Sequence, residues 1–297
     1  RTGTWWWRWR SEVGAMAGRN RLTLQKVMRW ASKLSVSALV LCAGTGAVLC
    51  LQYRPVGDVF QCVEEMTSLA PYGWLLRRLH YLSGQIFAGL ALAHAAYRVA
   101  RGDDRRMGFA AWARLTFSAA VCLLLLFTGF LLKGDAEAEM AAVVARSIAE
   151  QLPLVGAGVA GLVVGRGEWM FFPPYLLHCF LLPLILAGLL RGHVSRWAPA
   201  GCEFVGFCLA LGLLALAIAL PLPHPPQAPA ETLHGPWFFQ GLQHLLAVAP
   251  SAAGMLAPAG LLALLLALPL LGNRASRAAR SLLAACVAGY AVLAWTL

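Results

Sequence analysis

Apolar and polar positions along this chain alternate on the scale of whole segments rather than single residues. Seven apolar runs stand out, at about 34–53, 74–98, 112–132, 174–195, 203–221, 254–272 and 280–296. Each approaches the roughly 20 residues that an α-helix needs to cross the hydrocarbon core of a bilayer. Between them lie short polar links and one long connection, 133–172, where the pattern predicts a short helix at 136–151. Residues 221–238 are rich in proline and predict no regular helix. Residues 239–249 predict a short helix at the membrane surface, and 20–33 a short amphipathic one lying on it. The fold class expected is all-α, a polytopic membrane protein of about seven transmembrane helices. It divides into a basic segment (1–33), a four-helix unit (34–198) and a three-helix unit (199–297). No internal sequence repeat is visible.

Composition agrees. Of 297 residues, 60% are hydrophobic and 12% charged, with mean hydropathy +0.68, well above the usual apolar share of a soluble domain. A net charge of +11 would point to nucleic acid in a soluble protein, but here the charges sit between apolar runs and read as topology signals. Segments 1–33, 98–114, 191–196 and 274–280 hold 18 of the 24 Lys and Arg, which places the N-terminus in the cytoplasm. No cleavable signal peptide is expected, and the opening TWWWRWR reads either as an interfacial anchor or as sequence upstream of a start at Met16. The eight cysteines fall mostly within apolar runs, with no CxxCH and no zinc-like spacing, so neither c-type haem nor a disulfide framework is expected.

Two apolar runs carry pairs of histidines. His80 and His94 are fourteen residues apart, His178 and His193 fifteen. On an α-helix fourteen residues rise about 21 Å and end about 40° short of four turns, and fifteen end about 60° beyond them. Each pair therefore lies near one face, at opposite depths. An imidazole in hydrocarbon needs a partner. A lone one is satisfied by a neighbour's carbonyl, but two at matched depths on two helices ask for more. If the helices are the second and fourth spans they run parallel, and His80 meets His178 while His94 meets His193. Two stacked bis-histidine sites suit haem iron with no open position. A haem-free transporter with intramembrane histidines is the plainer alternative.

The stretches GWLLRRLHYLSGQ and LALAHAAYR, with LLHCFLLPLILAGLLRGH, resemble the second and fourth helices of cytochrome b from the quinol-oxidising bc complexes. An Arg three residues before the first His, TGAVLCLQYRP, FTGFLL and LPLLGNRASRAAR are also similar to that family. The fifteen-residue spacing is similar to its chloroplast and cyanobacterial branch. The resemblance spans about residues 20–297 and implies two haem b groups, with His80 and His178 on the outer iron and His94 and His193 on the inner. It implies that Arg77 faces a haem propionate and that Gly46 and Gly129 admit haem edges. It further implies quinone or quinol as substrate, a bacterial inner-membrane location, and coupled proton translocation. Implied partners are an iron–sulfur protein and/or a multihaem c-type cytochrome, in a homodimeric complex with lipid around it and no nucleic acid.

Departures from the family are specific. Its outer pocket carries Pro-Glu-Trp-Tyr, where this chain has Gly235, Pro236, Trp237 and Phe238, so the glutamate that takes a proton from quinol is replaced. Pro-Trp-Gly-Gln is likewise replaced, by LLKGDAEAE. His244, two helical turns beyond Trp237, is the first candidate for the missing base, because imidazole titrates near neutral pH. His234 and Glu231 are alternatives, while Asp135, Glu137 and Glu139 read as a solvated helix end or a docking surface. No cysteine precedes Cys42, so no extra covalent haem is expected. The expected function is a di-haem quinol oxidoreductase subunit. The alternative is an anchor and electron conduit between a periplasmic redox module and one quinone site.

Overall fold

From Arg21 to Ala43 the chain has neither glycine nor proline, and nothing there interrupts a helix. In the computed structural model, α1 accordingly runs unbroken over Thr4–Gln52. The amphipathic segment expected at 20–33 is thus the first part of the spanning helix, not a separate one. The structure describes residues 4–220, 223–226, 228, 235–249 and 253–295, with side chains from Lys26 to Val292 except Ala253 and Met255.

The described residues are helical, with no strand among them. After α1 come α2 (Val59–Ser68), α3 (Gly73–Ala100), α4 (Phe109–Leu131), α5 (Ala136–Glu150) and α6 (Gly156–Val163). A continuous helix follows, built from α7 (Phe172–Leu176), a π turn (Leu177–Leu181) and α8 (Leu182–Trp197). Then come α9 (Gly201–Ala217), α10 (Trp237–Val248), α11 (Ala253–Ala267) and α12 (Asn273–Trp295). All seven apolar runs fall on helices. By length and composition Lys26–Gln52, Phe109–Leu131 and Gly167–Trp197 can cross a membrane, and Gly201–Ala217 and Leu256–Leu270 are shorter apolar helices. Helix α2 lies in what reads as a plain loop. Its signal is Asp58, whose side chain accepts from the Gln61 amide at 2.9 Å and caps the helix.

Helices α1, α3, α4 and α8 form a four-helix bundle. α3 and α8 lie diagonally, with α1 and α4 packed against both. Halfway along, Ala38, Phe87, Ala88, Val121, Cys122, Leu182 and Leu186 close the bundle with an apolar layer. This layer sits between the levels of the two histidine pairs.

Helices α9 to α12 dock on the bundle, at one end through polar contacts. Asp104 is fully buried and receives Arg280 of α12 at 2.8 Å and the Ser276 hydroxyl at 3.2 Å. Arg105 donates to the Leu271 carbonyl at 2.6 Å and the Trp112 indole to that of Leu265 at 2.7 Å. At the same level Lys33 of α1 meets Glu203 of α9 at 2.7 Å. Removing one member of a buried ion pair strands the other. Asp104→Ala is therefore expected to cost about 3–5 kcal/mol, read as a lower thermal midpoint in detergent, with α12 detaching first.

Candidate functional site

The four histidines converge in two pairs. The rings of His80 and His178 are 6.1 Å apart between centroids, and those of His94 and His193 are 6.0 Å apart. Both pairings hold only if α3 and α8 run in the same direction. The expected fifteen-residue mismatch is absorbed by the π turn, which carries His178 itself. The Leu182 amide reaches back five residues to the Leu177 carbonyl, so one extra residue is taken up in a single wide turn. Pro183, with no N–H to give, follows directly.

Each separation can be tested against one ion between two imidazoles. A metal–imidazole bond is about 2.0–2.1 Å, and a five-membered ring with bonds near 1.3–1.4 Å places its nitrogens about 1.1 Å from the centre. Two such arms sum to about 6.2 Å. At the observed spacings the two imidazoles of each pair would be able to hold one metal ion between them, and they are too far apart for a direct hydrogen bond between the rings.

Backbone carbonyls set the tautomer at the outer pair. His80 Nδ1 donates to the Cys42 carbonyl at 3.0 Å, and His178 Nδ1 to the Leu125 carbonyl at 3.1 Å. With the proton on Nδ1, each Nε2 keeps its lone pair for a metal. The two contacts repeat one local device. Thr45 and Thr128 each donate to the carbonyl four residues back, at 2.8 Å, and lie 3.4 and 3.2 Å from the histidine Nδ1. The next residue is Gly46 in one case and Gly129 in the other. A Cβ on Gly46 would lie 2.7 Å from His80 Cε1, and one on Gly129 2.6 Å from His178 Cε1. Both glycines thus face imidazoles. A two-residue Thr-Gly repeat is too short to register as an internal repeat. Gly129→Ala is expected to push His178 off the carbonyl and to lower outer-haem occupancy at least several-fold, read as haem per chain.

The inner pair opens into a cavity of 470 Å³, within the usual range for a cofactor site. Its wall includes His94, His193, Arg98, Arg114, Arg196 and Ser118. Arg98 and Arg196 lie one turn beyond His94 and His193 respectively, on the same helix faces. Sequence reading missed them, although that spacing was the available signal. Arg98 is steadied by Asp103 at 2.6 Å. Guanidinium groups at the mouth suit the two carboxylates of a haem.

The other expected residues have contacts of their own. Arg77 donates to the Thr67 hydroxyl on α2. Trp237 donates to Gln85 Oε1 of α3 at 2.9 Å, and Phe239 stacks on Phe127 of α4 at 5.3 Å, so α10 lies against the bundle. His244 has its Nε2 buried without a hydrogen-bond partner among the described residues. Glu231 and His234 lie outside the described residues. Asp135, expected in a solvated helix end, is wholly buried as the cap of α5 and accepts from the Ala138 amide at 3.0 Å.

Residues 23–197 match the family described as Cytochrome b/b6/petB. The chain belongs to the cytochrome b family. Among relatives, the cytochrome b6 of Heliobacterium mobile is 28% identical over 164 residues, covering 54% of this chain and 77% of that one. The cytochrome b6 of Oltmannsiellopsis viridis is 25% identical over 164 residues, with 54% and 76% covered. A solved structure titled "Hyperthermophilic respiratory Complex III" shares the fold, with TM-score 0.64 and 18% identity over 82% of this chain and 75% of that one. This cytochrome b is a membrane subunit of the bc-type complexes, an electron-transferring oxidoreductase of a haem-binding family.

Proposed function

We propose that this chain is the di-haem subunit of a bacterial bc-type quinol oxidoreductase. His80 and His178 hold an outer haem b, His94 and His193 an inner one, and electrons from quinol cross the membrane between the two levels. The reading is carried by two imidazole pairs at about 6 Å, stacked on parallel helices. Haem b, when bound, supplies reversible one-electron steps at an iron with no open position. The chain's own residues do the rest. Carbonyls of Cys42 and Leu125 orient the outer imidazoles, Arg98, Arg114 and Arg196 hold carboxylates at the inner mouth, and the layer around Phe87 and Leu186 excludes water between the levels.

The proposed setting is the inner membrane with the N-terminus in the cytoplasm, because most Lys and Arg fall on that side. An iron–sulfur protein or multihaem cytochrome would take electrons outside, in a dimeric complex. Oxidising quinol there releases protons, which couples electron flow to proton translocation. A redox-titrated optical spectrum with a haem assay tests the reading: two b haems per chain with two midpoints are expected. One haem, or none, ends it. The conduit reading is favoured by Pro236 standing in place of the family's glutamate. Inhibitors of the outer quinol pocket separate the two, since a conduit without that pocket keeps its full rate of haem reduction.

A further inference from the structure

The replaced glutamate leaves the outer site needing a route for its protons, and the structure holds a graded polar chain at that end of the bundle. Asp135 is fully buried where α4 passes to α5. Lys133 Nζ lies 2.8 Å from Asp135 Oδ2 and 2.8 Å from Glu137 Oε2. Glu137 Oε1 lies 3.5 Å from Nδ1 of His224. Side-chain exposure rises along the series, 0% at Asp135, 14% at Glu137 and 40% at His224. The last position is anchored by its backbone, because the His224 carbonyl accepts from the Ala136 amide at 3.0 Å. A segment from the second unit is thereby fixed against the first turn of α5, with an imidazole between a mostly buried carboxylate and water.

We propose that protons from the outer quinol site leave through Glu137 and His224, which take over the exit step of the missing glutamate. This rests on the quinol reading above. Quinol gives its two electrons to one-electron acceptors, the outer haem and a redox centre on a partner subunit, and gives up two protons. The Glu137 carboxylate receives a proton and passes it to His224 Nδ1. The imidazole then releases a proton to water from Nε2, and a second tautomer exchange restores it. The groups that set this transfer are Lys133, Asp135 and Glu137 around the α4–α5 link, with Glu139 of α5 and Asp58 capping α2 close by. Burial, then the charges of Asp135 and Asp58, raises the Glu139 carboxyl above its ordinary value. His244 is the rival base, and its Nε2 has no hydrogen-bond partner among the described residues.

The test uses the whole complex in proteoliposomes, with reduced quinone added and a membrane-impermeant pH dye outside. His224→Ala is expected to slow quinol-driven haem reduction and outward proton release together, about tenfold at pH 7, and added imidazole should restore both. Glu137→Gln should slow both without rescue. His224→Ala running at the wild-type rate, or slowed but indifferent to imidazole, overturns the proposal. So does loss of haem in that variant, which would make His224 a scaffold residue. If the wild-type complex shows two b haems but no quinol-driven reduction, the quinol reading itself fails and takes the relay with it.

Discussion

Replacing His178 with leucine is expected to leave a complex with one b haem in place of two, and one step in its redox titration. An iron at that level would have two protein nitrogens within reach, from α3 and from the π turn of the α7–α8 helix. Removing one leaves His80 held by the Cys42 carbonyl with nothing opposite. The stranded Nε2 costs about 1–3 kcal/mol, while leucine matches the apolar neighbours of the turn, so the bundle should still assemble. The inner level should be untouched, because the layer of Phe87, Val121, Leu182 and Leu186 separates the two. His193→Leu should give the complementary result, losing the inner haem and keeping the outer one. Haem per chain by extraction, with optical redox titration, reads both. A full complement of haem in His178→Leu would show that the outer pair does not ligate iron.

What the sequence made legible follows from what periodicity can carry. Rotation and rise per residue place His80, His94, His178 and His193 by depth and face, and the chain's direction through the bilayer chooses which meet. Seven apolar runs became helices for the same reason. Capping chemistry was legible in principle at Asp58, but a proline and a glycine just before an amphipathic decamer are easily read as a loop. Gly46 and Gly129 were singled out, but the imidazoles that they face were not foreseen. Distance from helix axis to imidazole depends on packing across the bundle, which one-dimensional spacing does not contain. His224 escaped notice because it lies among prolines, far in sequence from Glu137, and only the docking of one unit on the other brings the two together. Asp135 misled for a related reason: an acidic run looks solvated until a neighbouring segment covers its first member.

The second large effect concerns helical register. Deleting Phe180, an exposed residue within the π turn, is expected to leave both haems in place. Deleting Gly89 from α3, where a side chain would face open space, is expected to lose at least one. The two deletions are alike in size and differ in what the helix can do about them. In the first, fourteen residues remain between His178 and His193, about 1400° of regular helix, the same as between His80 and His94. The wide turn holds one residue more than an α-helix needs, so losing that residue lets it close into an ordinary turn. Pro183 still adds a local kink. In the second, thirteen residues remain on α3, about 1300°. One imidazole then points about 100° away from its place, and no residue is stored on α3 to recover it. An α-helical circular dichroism signal near that of the wild type, with haem content near two for one variant and one or less for the other, is the expected pattern. Equal haem loss in both would mean that the π turn is required for ligation and not merely tolerated by it.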